Sequence, residues 1–166
     1  VHGMPYYDAI DSCALSIMAS FNSWNGLKSH GNKYLLVDIL KSQMEFDGFI
    51  VGDWNGHGQL PGCEDANCPE AFNSGVDIFM VPQEWEGLYW NTLAQVNSGI
   101  ISEERLDDAV TRILKVKKYL GLFDNRVPHQ FNKNYLGDKD HINIARQAVR
   151  ESLVLLKNQS STLPLN

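Results

Sequence analysis

One acidic side chain, Asp53, follows directly on a short apolar run and is the best placed residue in this chain to do chemistry. The run Phe49-Ile50-Val51 has the composition of a buried parallel strand, and it stops at Gly52-Asp53-Trp54. An acid at the C-terminal end of such a strand is typical of a catalytic position. Asp53 would be a nucleophile or general base there, or else a cap that accepts hydrogen bonds from loop amides.

Aromatic side chains are expected beside this acid. Trp54 offers a flat apolar face that suits the C–H surface of a sugar ring, although such a face also suits packing under a helix. Phe21 and Trp24 follow an earlier apolar run, so they should lie at the same edge of the sheet, either as a pocket wall or as core. The combination favours a sugar site next to Asp53.

A second carboxyl group is needed if the reaction is a retaining glycoside hydrolysis. Such a reaction uses two carboxyl groups about 5 Å apart, one that attacks the anomeric carbon and one that protonates the leaving oxygen. Glu84 and Glu86 are the local candidates for the acid. Lys28 and His30 precede a predicted helix and are expected to cap and cover its start rather than to act in catalysis. His57 is expected to be a solvated loop residue.

The cysteines allow two interpretations. Cys63 and Cys68 lie in a loop rich in Gly, Pro, Asp and Asn, which suits a small disulfide loop in an oxidising compartment. A zinc site would need further ligands, and only His57 is nearby. Cys13, on an apparent helix, is expected to be a buried small apolar residue. No cofactor is expected.

Composition excludes several classes of protein. The chain has 166 residues with 14 basic and 20 acidic side chains, a net charge of −6. Because no Lys/Arg cluster stands out, nucleic acid is not an expected partner. No apolar run approaches the 18 or so residues of a membrane span, so membrane insertion is not expected either. The chain starts at Val1 without a basic and apolar leader, and we expect it to be an internal fragment of a longer protein.

Helical and strand patterns alternate along the chain. The patterns predict helices over residues 4–12, 32–44, 69–74, 85–97, 103–120 and 141–151, and strands over 15–21, 49–51, 76–81 and 153–156. Ser102, Asp140 and Gly121 are the expected helix start and stop signals. The alternation predicts an α/β fold with parallel β-α-β units, namely the last three or so strands of a (β/α)8 barrel.

A change in composition predicts the domain organisation. We expect residues 1–121 to be the C-terminal part of the barrel domain and 122–140 to be an interdomain linker. Residues 141–166 are then expected to begin a second, truncated domain.

Several motifs together make the chain resemble the glycoside hydrolase family 3 β-glucosidases along essentially its whole length. Residues 18–26 (MASFNSWNG), Lys28, 30–32 (HGN) and 48–54 (GFIVGDW) look like the family's sixth strand, the loop after it and its seventh strand. The family's eighth strand has its counterpart here at Asn73, Gly75, Asp77, Met80 and Pro82. The helix that closes the barrel resembles residues 105–110 and 112–114. The first strand of the α/β sandwich domain resembles 152–158 and 163–165.

The resemblance implies roles for particular residues. Asp53 would be the nucleophile that forms a glycosyl-enzyme intermediate, Trp54 would flank the sugar-binding cleft, and Met18 and Phe21 would line the glucose pocket. Many members carry Ser at the position of Gly52 and Tyr at that of Phe21. The chain also lacks the His-containing motif of the family's β-N-acetylglucosaminidase branch, which favours the glucosidase branch.

The resemblance also implies what the complete protein does and where. It would hydrolyse terminal non-reducing β-D-glucosyl residues of β-glucans, oligosaccharides or β-glucosides, in the periplasm or after secretion. The acid/base Glu and a sugar-binding Lys-His pair would come from other parts of that protein, so the chain alone is expected to be inactive. The alternatives are a non-catalytic carbohydrate-binding or scaffold relative, or an enzyme acting on another β-glycoside such as a xyloside or N-acetylglucosaminide.

Overall fold

The computed structural model describes residues 2–124, 136–159 and 163–164. The chain divides into two compact units, Val1–Arg126 and Val127–Asn166. The first unit contains, in order, α1 (Met4–Asp11), β1 (Ser16–Met18), β2 (Ser23–Trp24), β3 (Leu27–Lys28), a 3₁₀ turn (Ser29–Gly31), a π-helix (Tyr34–Gln43), β4 (Phe49–Val51), a second 3₁₀ turn (Gly56–Gln59), α2 (Pro69–Asn73), α3 (Trp85–Asn97) and α4 (Glu103–Tyr119). The second unit contains α5 (Lys139–Ser152). The fold is mixed α/β, as the sequence predicts.

The sheet that positions the site is parallel. Strand β1 pairs with β4 in parallel, and Met18 lies opposite Val51. The pairing extends beyond the strand ends, because Ala19 N–H donates to the Val51 carbonyl at 2.8 Å. The C-terminal ends of β1 and β4 therefore meet at one edge, where the sequence places the loops of interest.

The predicted third strand, 76–81, is wrong as a regular strand, because it pairs with β4 only through a parallel bridge between Val51 and Ile78. The cause lies one residue earlier. Ile50 N–H donates to the Asp77 carboxylate at 2.7 Å, and the carbonyl of Val76 accepts a hydrogen bond from Arg105 at 2.9 Å. Side chains thus occupy the Ile50 N–H and the Val76 carbonyl, which would otherwise form the first backbone hydrogen bond between β4 and this segment.

A small antiparallel hairpin, β2–β3, replaces the loop expected after β1. Its turn is Asn25-Gly26, with φ values of 51° and 83°. Asn-Gly favours this left-handed turn strongly, so the signal was present in the sequence. The hairpin carries Trp24, whose ring stacks on Tyr34 with centroids 6.2 Å apart.

The helix predicted over 32–44 forms as the π-helix Tyr34–Gln43, in which Met44 N–H bonds to the carbonyl of Ile39, five residues back. Leu36 and Leu40 on this helix pack with Ile50 of β4 in the main core. Ile50 is completely buried, as expected for the centre of a sheet covered by helices.

Helix α4 of the first unit begins and ends as expected, but Cys13 differs from its prediction. Ser102 caps α4 by accepting a hydrogen bond from Arg105 N–H, and Gly121 follows its end with φ of 70°. Cys13 has φ of 66°, lies beyond the end of α1 and is exposed, so the prediction of a buried cysteine is wrong. Cys13 thus lies two residues beyond the helix on which the prediction placed it.

The second unit departs from the prediction at two points. Helix α5 is capped by Asp138, whose carboxylate accepts from Asp140 N–H at 2.8 Å, whereas Asp140 was the expected cap. The expected strand 153–156 is exposed and has no regular structure, since no strand pairs with it among the residues described. Most of the predicted linker, namely 125–135, lies outside the described residues.

None of the helices in the described part of the chain is long and apolar enough to cross a membrane.

Candidate active site

Asp53 lies where β4 ends, and its backbone is fixed from both sides. Gly52 N–H donates to the Ile78 carbonyl at 2.8 Å, and Asn55 N–H donates to the Met80 carbonyl at 2.9 Å. Between them, Asp53 N–H donates to Nε2 of His30 at 2.8 Å. The acid therefore has a defined backbone position at the C-terminal edge of the sheet.

The Asp53 side chain is half-buried, and one of its oxygens, Oδ1, accepts a hydrogen bond from Trp54 N–H at 2.7 Å. This contact is the loop-amide bond that the capping interpretation expects. Because a carboxylate has two oxygens and several acceptor sites, the bond leaves Oδ2 available to a ligand. The geometry is compatible with both interpretations of Asp53.

The residues predicted to flank Asp53 share its edge of the sheet. Trp54 is 54% exposed, Met18 47% and Phe21 37%, so all three present surface that a ligand can contact. Met18 ends β1 opposite Val51, two residues before Asp53. A separate cavity of about 410 Å³ beside β1 is lined by Met18 and Trp24 but not by Asp53. The cavity and the acid therefore lie in different places.

Lys28 and His30 do not cap the following helix, contrary to the prediction. Asn32 takes that role, because its Oδ1 accepts from Leu35 N–H at 3.1 Å. Lys28 instead joins the loops after β1 and β4, donating from Nζ to the Phe21 carbonyl at 3.1 Å and to Gln59 Oε1 at 2.7 Å. Side chains between the two strands thus hold their loops together.

His30 makes a second connection between the same loops. It is 1% exposed and binds the Asp53 backbone, and its ring forms an edge-type pair with Phe21 at a centroid distance of 6.3 Å. Burial lowers the pKa of His30, and the charges of His57 and Lys28 lower it further, although Asp53 and a hydrogen bond with the Ser20 backbone oppose this. The ring is therefore neutral near pH 7.

The loop after Asp53 is supported by a disulfide loop. Cys63 and Cys68 are joined by a disulfide, which confirms that interpretation of the pair, so neither sulfur is available to a metal. Within the loop, the Asp65 carboxylate accepts from Asn55 Nδ2 at 2.8 Å. The carbonyl of Asp65 lies 2.7 Å from Nε2 of His57.

His57 is thus not the solvated residue that was expected. It is 1% exposed, and its ring meets the edge of Phe79 at a centroid distance of 5.0 Å. Sequence reasoning also missed Asn55 and Asp65, which shape the loop. The signal available for Asn55 was its place before Gly56, since Asn tolerates the left-handed conformation that it adopts with φ of 51°.

The candidate acids follow the third extended segment. Glu84 and Glu86 are exposed at the start of α3. Within the described residues, neither shares a hydrogen bond or an ion pair with Asp53. No group of three or more His, Cys, Asp or Glu side chains in the described ranges is arranged to hold a metal ion.

Comparison with solved structures gives a close match for the whole chain. The exo-1,3/1,4-beta-glucanase from a Pseudoalteromonas species superposes with a TM-score of 0.82 and 47% sequence identity, over 99% of this chain and 21% of that one.

Curated proteins also match this chain along nearly its whole length. A probable beta-glucosidase L of Aspergillus terreus is 35% identical over 99% of this chain, and a periplasmic beta-glucosidase of Salmonella typhimurium is 34% identical over 97%. The chain spans 23% and 22% of the lengths of these two relatives. Residues 1–116 match the model of the glycosyl hydrolase family 3 N-terminal domain. The chain therefore belongs to glycosyl hydrolase family 3.

Proposed function

We propose that the complete protein containing this chain is a retaining exo-acting glycoside hydrolase that releases terminal β-D-glucosyl residues, with Asp53 as its nucleophile. The observation that carries the proposal is the placement of Asp53. Its backbone is held by His30 at the C-terminal edge of the parallel sheet, and its side chain is half-buried. The names of the relatives, β-glucosidases and an exo-β-glucanase, support the same substrate class.

In the proposed reaction, a carboxylate oxygen of Asp53 bonds to the anomeric carbon of the sugar while the glycosidic C–O bond breaks. A general acid donates a proton to the leaving oxygen at the same time. In the second step the same group, now a base, takes a proton from water, whose oxygen bonds to the anomeric carbon and releases Asp53. The general acid would be a Glu from a part of the protein outside this chain, or else Glu84 or Glu86.

The flanking side chains would bind the sugar. Trp54 would stack on a ring at the entrance, and Met18 and Phe21 would line the glucose pocket. Phe21 stands where many family members have Tyr, so it offers an apolar edge and no hydroxyl to the sugar. This substitution would weaken polar selection at that wall of the pocket.

The same proposal covers the architecture and location of the protein. Residues 1–121 would form strands six to eight of a (β/α)8 barrel with their helices, 122–140 a linker, and 141–166 the start of an α/β sandwich domain. The Cys63–Cys68 disulfide and the periplasmic relative support a periplasmic or secreted protein.

The test uses Asp53→Asn in the complete protein with 4-nitrophenyl β-glucoside as substrate. We expect kcat to fall on the order of 10⁴-fold or more, as when other catalytic groups are removed. Asp47→Asn is a matched control, because Asp47 precedes β4 at the opposite end, is 74% exposed and should leave kcat unchanged. Near-normal rates in folded Asp53→Asn would contradict the proposal.

A substrate panel separates the alternatives. The wild-type protein should prefer the β-glucoside over the β-xyloside and the β-N-acetylglucosaminide. Preference for either of the others would reassign the substrate, and no turnover of any aryl β-glycoside would favour a non-catalytic relative.

A further inference from the structure

His30 occupies the point where the two loops of the candidate site meet. Its Nε2 accepts the hydrogen bond from Asp53 N–H at 2.8 Å, so the proton of the neutral ring is on Nδ1. The ring also hydrogen-bonds to the backbone of Ser20, in the loop after β1. One buried side chain thus connects the backbones that follow β1 and β4.

Glycines leave the room that this ring needs. A Cβ at Gly56 would collide with the His30 ring, and a Cβ at Gly52 would lie 3.4 Å from its Cδ2 and Nε2. The first contact is prohibitive, whereas the second is an ordinary contact that a small side chain such as Ser could make. The turn around Asp53 is therefore built to enclose His30, with Gly56 as its strictest requirement.

Within the described ranges, the acceptor that Asp53 N–H uses is the His30 ring. This hydrogen bond lies between the two backbone hydrogen bonds that fix Gly52 and Asn55 to the neighbouring segment. Without the imidazole acceptor, the Asp53 N–H would lose its partner in a partly buried turn, which costs free energy and favours a shift of the backbone. A displacement of about 1 Å at a reacting group can lower a rate about 100-fold.

We propose that His30 is a positioning residue that holds Asp53 in place for attack on the sugar through its neutral Nε2. This inference rests on the nucleophile role proposed for Asp53. It adds that the acid form of His30, in which both ring nitrogens are donors, cannot accept the Asp53 N–H and so releases the nucleophile. His30 would thus set an acidic limit on activity.

The surrounding charges determine where this limit falls. The titratable or charged groups that face His30 are Asp53 at the end of β4, His57 from the turn after β4 and Lys28 from β3. Since the pKa of His30 is lowered in the folded protein, the ring stays neutral below the ordinary histidine value of about 6.5 and becomes protonated at a more acidic pH. Unfolded protein takes up the proton more readily, so the stability from this group is full above about pH 6.5 and is lost as the pH falls below it.

The test compares His30→Leu and His30→Gln in the complete protein. Leu removes the acceptor and fills the space, whereas Gln can place Oε1 near the position of Nε2 and does not titrate. The readouts are kcat and KM with 4-nitrophenyl β-glucoside, and the pH dependence of the rate at which a 2-deoxy-2-fluoro β-glucoside inactivates the enzyme.

We expect His30→Leu to lower kcat about 100-fold with a smaller effect on KM. His30→Gln should recover kcat to within about tenfold of wild type and move the acidic inflection in the inactivation rate to a lower pH, because its side chain has no proton to gain while the attacking group must still be a carboxylate. His57→Gln serves as the matched control: it removes the neighbouring imidazole, whose charge lowers the pKa of His30, so the inflection should remain and move to a higher pH.

Three results would overturn the proposal: a kcat within about threefold of wild type in His30→Leu, where about 100-fold is expected, a wild-type inflection in His30→Gln, or an inflection that disappears with His57 instead. If His30→Leu does not fold, the inflection in His30→Gln decides alone. Failure of the nucleophile assignment is read separately, from whether the fluoro-sugar is attached to Asp53 in the wild-type protein.

Discussion

Asp53 and Trp54 are neighbours in sequence but are held in different ways. The Asp53 backbone is fixed within a turn by His30, while the Trp54 side chain is 54% exposed. A change at Trp54 should therefore affect ligand binding with little effect on the fold.

Trp54→Ala tests the stacking role. We expect kcat/KM for an aryl β-glucoside to fall about two- to tenfold, equivalent to the roughly 0.5–1.5 kcal/mol of an aromatic contact. The melting temperature should stay close to that of wild type, because little buried area is lost. Trp90→Ala is the control, since Trp90 is 57% exposed on α3. Equal effects of the two substitutions would contradict a specific role for Trp54.

The sequence indicated Asp53 and its aromatic neighbours because strand, acid and ring are adjacent along the chain. It could not indicate the roles of His30 and His57, which depend on contacts 23 and 8 residues away, with Asp53 and Asp65. A loop histidine in sequence has no visible partner. Only the packing of two loops buries these rings and brings them to their hydrogen-bonding partners.

Among the elements, the disulfide loop 63–68 supports the turn that carries Asp53. Asp65 binds Asn55 through its carboxylate and His57 through its carbonyl, and Cys68 Sγ contacts the His57 carbonyl at 3.4 Å. Asn55 is itself in the left-handed conformation two residues after Asp53. The disulfide loop therefore acts as a brace, meaning that its hydrogen bonds hold Asn55 and His57 in the turn that follows Asp53.

Replacing both cysteines tests this brace. In Cys63→Ser/Cys68→Ser we expect stability to fall by about 2 kcal/mol, the entropy effect of a loop of this size, and kcat to fall as the turn loosens. Thermal unfolding and aryl β-glucoside assays measure the two effects. Cys13→Ser is the control, because Cys13 is an exposed free thiol outside the site. Unchanged kcat and stability in the double variant would show that the loop is not a brace.

Element boundaries were predictable where the chain carries local signals. Ser102 and Gly121 mark the ends of α4, and the apolar run 49–51 is a strand as expected. The run 76–81 fails as a regular strand because Asp77 and Arg105, 28 residues apart, occupy its first hydrogen-bonding groups. The π geometry of Tyr34–Gln43 likewise has no signature in its apolar spacing.

At the scale of the first unit as a whole, a charge network at the end of the sheet opposite Asp53 joins the extended segment 76–81, the π-helix and α4. Asp77 Oδ1 lies 2.7 Å from Lys41 Nζ and 2.6 Å from Arg105 Nη2, and the Asp77 side chain is completely buried. Asp108 extends the network to Arg112 at 2.7 Å. Burial raises the pKa of Asp108, but Arg112 and Lys41 outweigh it and lower this pKa overall. The network therefore holds the elements together at one end of the sheet, and the candidate site lies at the other end.

Asp77→Asn tests how much the unit depends on this network. We expect a loss of about 3–5 kcal/mol in the free energy of unfolding, because Lys41 and Arg105 lose their buried counter-charge. Urea unfolding followed by tryptophan fluorescence measures it. Asp47→Asn, which removes an exposed ion pair with Lys115, should cost less than about 1 kcal/mol. A comparably small loss in Asp77→Asn would contradict the network's structural role.

The central claim for the whole protein is that Asp53 forms a covalent bond to the sugar. The most direct test incubates the complete protein with a 2-deoxy-2-fluoro β-glucoside that carries a good leaving group, digests it and locates the added mass by peptide sequencing. We predict one label, on Asp53, and none after Asp53→Asn. A label on another carboxylate, or no label in a protein that turns over ordinary β-glucosides, would contradict the assignment.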